Sequence, residues 1–269
     1  MNPDPSLASH LLLRSLVNGP VLVGDLPEAK SMHLDFLSVP KKVQPLNFEQ
    51  KLGHLYEDAL AQILQSSDHF HLLAQSMQIQ KDIHSTVGEL DFIIRDLASE
   101  QLIHLELATK FYLAVDTPKG MTLPGPDARD NYFKKIAHLR EHQLQLPVHY
   151  QNFLPERYRK EPIVTQQLIY GCLFDHIDSP APAKPDFLNP GCRRGKWLHQ
   201  KEIPRHFARN DSFQVIPKSL WPVSLNFLHE FQFDSWDHNE HLKRCLMVRS
   251  GDDPTPYFLA PDSYGPVAN

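Results

Sequence analysis

The sequence predicts a mixed α/β protein in which a small sheet is covered by helices. Segments with helical spacing and segments with strand character follow one another in the order helix, three strands, helix, strand. The chain has 269 residues, of which 41% are hydrophobic, so it is long enough to bury a core in one large or two modest domains.

The first core helix is predicted for residues 48–65, where apolar residues recur at the period of an amphipathic helix. Three strands are predicted next, in the segments HFHLLAQSMQI, VGELDFIIRD and QLIHLELATKFYL, and the last two are typical of a hairpin. Helical spacing returns over residues 128–145, and a fourth strand is predicted in IVTQQLIYGCLF. A short N-terminal helix, SLASHLLLRSLV, precedes this core.

Composition divides the predicted chain into three parts. Residues 1–178 form the main domain, with its core at 45–178. Residues 179–191 are proline-rich and are predicted to be a linker, because proline cannot supply ladder or helix hydrogen bonds throughout. Residues 192–269 contain all three tryptophans and have no strong period, which predicts an irregular C-terminal lobe packed on the main domain.

Charge and cysteine content set broad limits on function. The net charge of −5 gives no global attraction to nucleic acid, so any such binding would need a local basic surface. The three cysteines have no C-x-x-C spacing, which favours buried thiols in a reducing compartment. The N-terminal apolar run is broken by Arg14 and Asn18, so we expect neither a signal peptide nor a membrane span, and a cytoplasmic location.

Acidic residues and a lysine interrupt the inner faces of the predicted hairpin. Alternation places Glu106, Ala108 and Lys110 on one face of their strand, and Asp91 can meet Glu106 across the hairpin. Two facing carboxylates repel unless a proton or a cation lies between them, and hard oxygen ligands suit Mg²⁺ or Mn²⁺. The pattern therefore indicates a divalent metal site, with exposed edge-strand charges as the alternative.

The same residues resemble a known superfamily. The segments GELDFIIRD and HLELATK are similar to the metal-binding core of the PD-(D/E)XK nuclease-like superfamily, in which a G-E-(I/L)-D strand precedes a strand carrying E-x-K. The segment LGHLYEDAL is similar to the helix that supplies that superfamily's additional acidic ligand. The whole chain also resembles an uncharacterised bacterial family of unknown function, through HLELATKFYL and RRGKW.

The resemblance implies a restriction-endonuclease-like core, α-β-β-β-α-β, and hydrolysis of nucleic-acid phosphodiester bonds, most simply in DNA. It assigns Glu57, Asp91 and Glu106 as ligands of Mg²⁺ or Mn²⁺, with Asp91, Glu106 and Lys110 as catalytic residues. The sequence departs from the superfamily at Ala108, where the lysine usually stands. Two alternatives follow: a metal-dependent nuclease in which Lys110 reaches back, or an inactive nuclease-fold module that binds nucleic acid or protein.

Basic residues outside the hairpin are the candidate phosphate contacts. Each cluster alone is equally typical of a solvated charged face, and a homo-oligomer or protein partner is left open. The predicted nucleic-acid-binding residues are Lys134 and Lys135 on the second core helix, with Arg193, Arg194 and Lys196 beyond the proline-rich segment.

Overall fold

A computed structural model describes residues 4–265 of the chain, except 83–84, 210, 230, 238–239 and 252. It shows the predicted mixed α/β class, with a large mixed sheet flanked by helices. Within these residues, no helix combines the length and the apolar character needed to cross a bilayer.

The helices and strands follow the predicted order through the first two-thirds of the chain. The helices are α1 (Pro5–Asn18), α2 (Leu52–Gln65), α3 (Tyr132–Glu141) and the one-turn helices α4 (Leu146–His149), α5 (Glu156–Arg159) and α6 (Ile203–His206). The strands are β1 (Lys30–Ser31), β2 (Phe70–Asp82), β3 (Ser85–Asp96), β4 (Leu102–Leu113), β5 (Val115–Thr117), β6 (Gly120–Thr122), β7 (Ile163–His176), β8 (Arg193–His199), β9 (Phe213–Val215), β10 (Ser235–Trp236), β11 (Leu246–Ser250) and β12 (Tyr257–Ala260).

The sheet combines an antiparallel beginning with a parallel centre. Strands β2, β3 and β4 form an antiparallel meander, and β7 then pairs in parallel with β4 along twelve residues of each strand. The path of the main sheet is β10-β9-β11-β12-β8-β7-β4-β3-β2. Strand β1 pairs in parallel with β7 at Gln166 and Gln167, whereas β8 pairs with β7 from Cys172 onward.

The C-terminal part differs from the predicted irregular lobe. Strand β8 pairs in parallel with β7, and β12, β11, β9 and β10 continue the same sheet. The proline-rich segment 179–191 therefore connects two neighbouring strands. Four of these five strands have five residues or fewer, so their hydrophobic pattern is too short to show a period, and pairing with an existing edge fixes them.

Helices cover both faces of the sheet. On one face, α1 and α2 pack in a core that also contains Phe111, Trp221 and Phe258, so it includes N-terminal and C-terminal residues. On the other face, α3 contributes Tyr132, Ile136 and Leu139 to a second cluster. The N-terminus of α3 is capped by the Asn131 side chain, which accepts a hydrogen bond from the Phe133 amide.

Gly171 provides a test of the pairing between β4 and β7. It has a φ of +147°, and a Cβ there would lie 1.6 Å from the Lys110 carbonyl oxygen. We expect Gly171→Ala to destabilise the protein by more than about 3 kcal/mol in urea unfolding, because backbone strain and a backbone clash combine.

The matched control is Gly53→Ala in the first turn of α2. A Cβ there meets nothing closer than Glu57 Oε1 at 3.9 Å, so this change should leave stability unchanged or raise it by about 0.5 kcal/mol. Equal changes in stability for the two variants would contradict the close contact between Gly171 of β7 and the Lys110 carbonyl of β4.

Candidate functional site

The candidate site lies where β3 and β4 separate. Their paired residues run from Arg95 and Leu102 to Phe92 and Leu105, and regular pairing ends there. Beyond this point the Leu107 amide donates a hydrogen bond of 2.8 Å to Asp91 Oδ2 instead of to a carbonyl of β3. A side chain thus replaces a ladder bond, and the edge of β4 opens beside Glu106.

Glu106 is almost completely buried, with 1% of its surface exposed. Its Oε2 atom accepts no hydrogen bond from any described residue, and the His104 Nε2 atom lies 3.9 Å away. Burial lowers the pKa of His104 to about 3, so this imidazole is neutral and offers no compensating charge. A buried carboxyl oxygen without a donor is costly for a folded protein and is typical of a site that receives a ligand or proton.

Glu57 approaches the same site from α2. Its carboxylate is 14% exposed and lies 3.4 Å from His54 Nδ1. The Ser76 hydroxyl donates to Glu57 Oε2 at 3.3 Å, and Ser76 has a φ of +49°, a left-handed conformation that non-glycine residues rarely adopt. Local strain in β2 therefore accompanies the contact with this acidic group.

Lys135 supplies a half-buried cation to the site. Burial lowers its pKa, while the negative charges of Glu106, Asp130 and Asp91 act in the opposite direction. Its ammonium donates a hydrogen bond of 2.6 Å to Gln143 Oε1, which holds the side chain between α3 and the following turn.

Lys110 pairs with Asp130, an acid that the sequence analysis did not include in the site. Its ammonium forms an ion pair of 2.7 Å with Asp130 Oδ2, and both side chains are about one-third exposed. The Lys110 charge is therefore engaged just before the start of α3, and Lys135 is the lysine whose charge acts on both Asp91 and Glu106.

The two central acids favour their protonated forms. Burial raises the pKa of Asp91 to about 7, with smaller contributions from Glu57 and Glu89, while the hydrogen bond from Leu107 opposes the shift. Burial and then the charge of Asp91 raise the pKa of Glu106 well above its ordinary value. The acidic groups Glu57, Asp91 and Glu106 thus outnumber Lys135, and the site attracts positive charge.

The acidic side chains interact without surrounding a common point. Among the described residues, no group of three or more histidine, cysteine, aspartate or glutamate side chains is arranged to hold a metal ion. The carboxylates of Glu57, Asp91 and Glu106 nevertheless come from three elements and influence one another electrostatically. The arrangement offers hard oxygen donors, one of them free of hydrogen bonds, in a mostly buried setting.

The predicted phosphate contacts separate into exposed and internal groups. Lys134 is exposed on α3, and Lys196 is half-buried on β8. Arg193 instead donates to the carbonyl groups of Trp221, Pro222 and Val223, which anchors a C-terminal turn.

Arg194 is also engaged inside the protein. It bonds to Asp175 at 2.5 Å and to the Ala183 carbonyl, so both neighbouring arginines of RRGKW hold the fold together.

Lys135 was predicted as a phosphate contact, and the sequence analysis did not predict that its charge acts on Asp91 and Glu106. The signal was present: positions 132, 135, 136 and 139 form one stripe of a helix, in which Tyr132, Ile136 and Leu139 are buried and Lys135 is half-buried. A lysine inside an apolar stripe indicates a nearby internal anion.

Fold and site together define a mixed α/β protein with a buried acidic site at the separation of two central strands. The chain belongs to the DUF1853 family, described as a domain of unknown function, whose model matches residues 28–262. No curated protein and no solved structure shows significant similarity to the chain.

The raised pKa of Asp91 predicts a pH dependence of stability. In the folded protein Asp91 binds a proton up to about pH 7, whereas its ordinary value is 3.8, so its contribution to stability is present below about pH 4 and is lost as the pH rises through 7. Asp91→Asn removes this titration and keeps an acceptor for the Leu107 amide. In EDTA, this variant should become progressively more stable than wild type between pH 5 and pH 8, by about 1–3 kcal/mol at pH 8.

Urea unfolding at each pH measures this difference in stability. Any effect of His104 on stability is the same in both proteins and therefore does not contribute to the difference. Parallel stability curves for the two proteins would show that Asp91 is ionised in the fold at pH 5.

Proposed function

We propose that this protein is a metal-dependent phosphodiesterase that cleaves nucleic acid, most simply DNA, at the site of Glu57, Asp91 and Glu106. The observation that carries this proposal is the pair of acids at the separation of β3 and β4, Glu106 buried and Asp91 half-buried, beside the half-buried Lys135 of α3. Such a combination of perturbed acids and a cation is costly for folding and is typical of catalytic sites.

The donors suit Mg²⁺ or Mn²⁺ in charge and chemistry, and the three carboxylates would have to move toward a common point to hold one ion. The Glu106 oxygen without a donor, the Asp91 carboxylate and Glu57 would hold the ion, and its binding would relieve their mutual repulsion. When bound, a divalent ion polarises a phosphate and lowers the pKa of water.

Lys135 is the better candidate than Lys110 for stabilising charge in the reaction. An ammonium beside Asp91 and Glu106 can offset the negative charge that grows on a phosphate under attack, which is usually a large term in such catalysis. Gln143 would keep Lys135 oriented through their 2.6 Å hydrogen bond. Lys110 would instead position Asp130 at the start of α3.

The proposed core has a restriction-endonuclease-like fold, which would make the protein a member of the PD-(D/E)XK superfamily. The order of its elements, α2, β2, β3, β4, α3 and β7, supports this proposal. The competing proposal is an inactive module with this fold that binds nucleic acid or protein. The observation that favours it is the ion pair of Lys110 with Asp130, which removes the lysine of β4 from the acids.

Lysine substitutions separate these proposals. With Mg²⁺ or Mn²⁺ and labelled single-stranded, double-stranded and branched DNA, Asp91→Asn and Glu106→Gln should reduce cleavage at least about 100-fold. Lys135→Met should lower kcat by about 100-fold, because charge stabilisation is lost, whereas Lys110→Met should cost less than about tenfold.

Lys134→Met is the matched control for kcat, since Lys134 is the exposed neighbour on the same helix; as a predicted phosphate contact it should affect binding and not kcat. Cleavage that survives Asp91→Asn would place the chemistry elsewhere, and an equal loss in Lys110→Met would remove the special role of Lys135. Binding of DNA without any turnover would support the inactive module.

Metal binding should also be visible in thermal unfolding. Mn²⁺ at a hundredfold excess over its Kd should stabilise the native state by about 2.7 kcal/mol, a rise in Tm of about 5–10 °C for a chain of this size. The Asp91→Asn, Glu106→Gln double variant should melt at or above the metal-free wild type and should not respond to Mn²⁺. An equal response in both proteins would exclude these carboxylates as ligands.

A further inference from the structure

A cavity of about 540 Å³ lies beside the acidic site and has no role in the proposal above. Its wall includes Thr109, Lys110 and Phe111 of β4, the first residues of α2, and C-terminal residues around Lys218 and Arg244. A volume of this size accommodates one small organic ligand. The cavity is therefore large enough for a single nucleotide.

The cavity is adjacent to the acids along the same strand. Asp91 accepts its hydrogen bond at Leu107, and the cavity begins two residues further along β4, at Thr109. At a rise of roughly 3.3 Å per residue, this separation is about 7 Å. A chain molecule bound at the acids would therefore reach the cavity with its next unit.

The charges of the cavity favour an anion. Its two acidic residues are already paired, Asp130 with Lys110 and Asp127 with Arg129. Lys51 and Arg244 also line the cavity, and neither forms an ion pair with any described residue. These two cations are available to a phosphate group.

The N-terminus of α2 adds positive charge to the part of the cavity that Lys51 lines. Lys51 is its N-cap residue and makes no side-chain capping hydrogen bond, and Leu52 and Gly53 also line the cavity. The first amides of a helix carry a partial positive charge, which acts in the same direction as the two cations.

The floor of the cavity is aromatic and apolar. The rings of Phe111 and Trp221 pack edge to face with their centroids 5.4 Å apart, and Met247 and Ile216 line the same wall. The Trp221 Nε1 atom donates to the Ile216 carbonyl, so the indole is fixed in place. An apolar aromatic floor below a basic rim matches a molecule that has a flat base at one end and a phosphate at the other.

We infer that this cavity binds one unpaired nucleotide of the strand being cleaved, with its base against the Phe111 and Trp221 wall and its phosphate at Lys51 and Arg244. The inference rests on the proposed phosphodiesterase function for its substrate class. A base that inserts into this partly open cavity cannot remain stacked and paired in a duplex. The protein is therefore specific for single-stranded nucleic acid or for unpaired nucleotides at ends and junctions.

Binding can be measured separately from cleavage, by fluorescence anisotropy in EDTA with a labelled ten-nucleotide oligothymidine and with a blunt duplex of equal length. Wild type should prefer the single strand at least about tenfold.

Lys51→Ala with Arg244→Ala should weaken single-strand binding about tenfold or more and reduce the slope of log K against log salt by about 1.4, the value for two lost phosphate contacts. Lys41→Ala with Lys42→Ala is the charge-matched control at two exposed lysines outside the cavity and should bind like wild type.

A second pair of variants tests the volume of the cavity instead of its charge. Gly53 lines the cavity and has room for a side chain, so Gly53→Leu should weaken single-strand binding while Gly53→Ala should not, at equal Tm.

The outcomes distinguish the two proposals. Binding that depends on Lys51 and Arg244 in a protein that cleaves nothing would support the cavity and overturn the phosphodiesterase function. Metal-dependent cleavage with single-strand binding unaffected by both cavity variants would overturn the nucleotide cavity and leave the acidic site. Equal affinity for the duplex would overturn the preference for unpaired nucleotides.

Discussion

The hydrogen bond from the Leu107 amide to Asp91 is the interaction on which the site depends. In a regular hairpin this amide would bond to β3, and the carboxylate of Asp91 would face one side of a closed sheet. By taking the place of a ladder acceptor, Asp91 lets the part of β3 that precedes Phe92 diverge from β4, while the Leu107 amide of β4 still has an acceptor. The opened edge then admits α2 from one face and α3 from the other, which brings Glu57 and Lys135 to the same acids.

Charge balance explains why the site is built from opposed helices. Glu106 is buried with one oxygen lacking a donor, and its neighbour His104 is held neutral, so the strand itself supplies no compensation. The compensating positive charge has to come from outside the sheet, and Lys135 of α3 supplies it. One ammonium against several carboxylates leaves an excess of negative charge, which an added cation or bound protons would offset.

Sequence patterns predicted the parts of this arrangement that depend on local spacing. Alternation in β3 and β4 predicted that Asp91 can meet Glu106 across the hairpin, and in the structure the charge of Asp91 acts on Glu106. Helical periodicity predicted α2, which carries Glu57. The role of Lys135 was missed because it depends on how α3 docks, a tertiary contact that strand parity cannot express. The short C-terminal strands were missed for a similar reason, since an existing sheet edge, not their own pattern, specifies them.

Because the sheet is continuous, C-terminal residues line the cavity beside the acidic site. The acids, α2 and α3 all lie within residues 45–178, so the proposed chemistry needs none of the later strands. The cavity does need them, because residues 215–221 and 244–247 close the open edge of β4 that the separation of β3 created. The match of the family model across residues 28–262 includes both parts. An opened central strand exposes backbone and apolar side chains, and the C-terminal residues convert that exposed edge into a partly open cavity next to the acids.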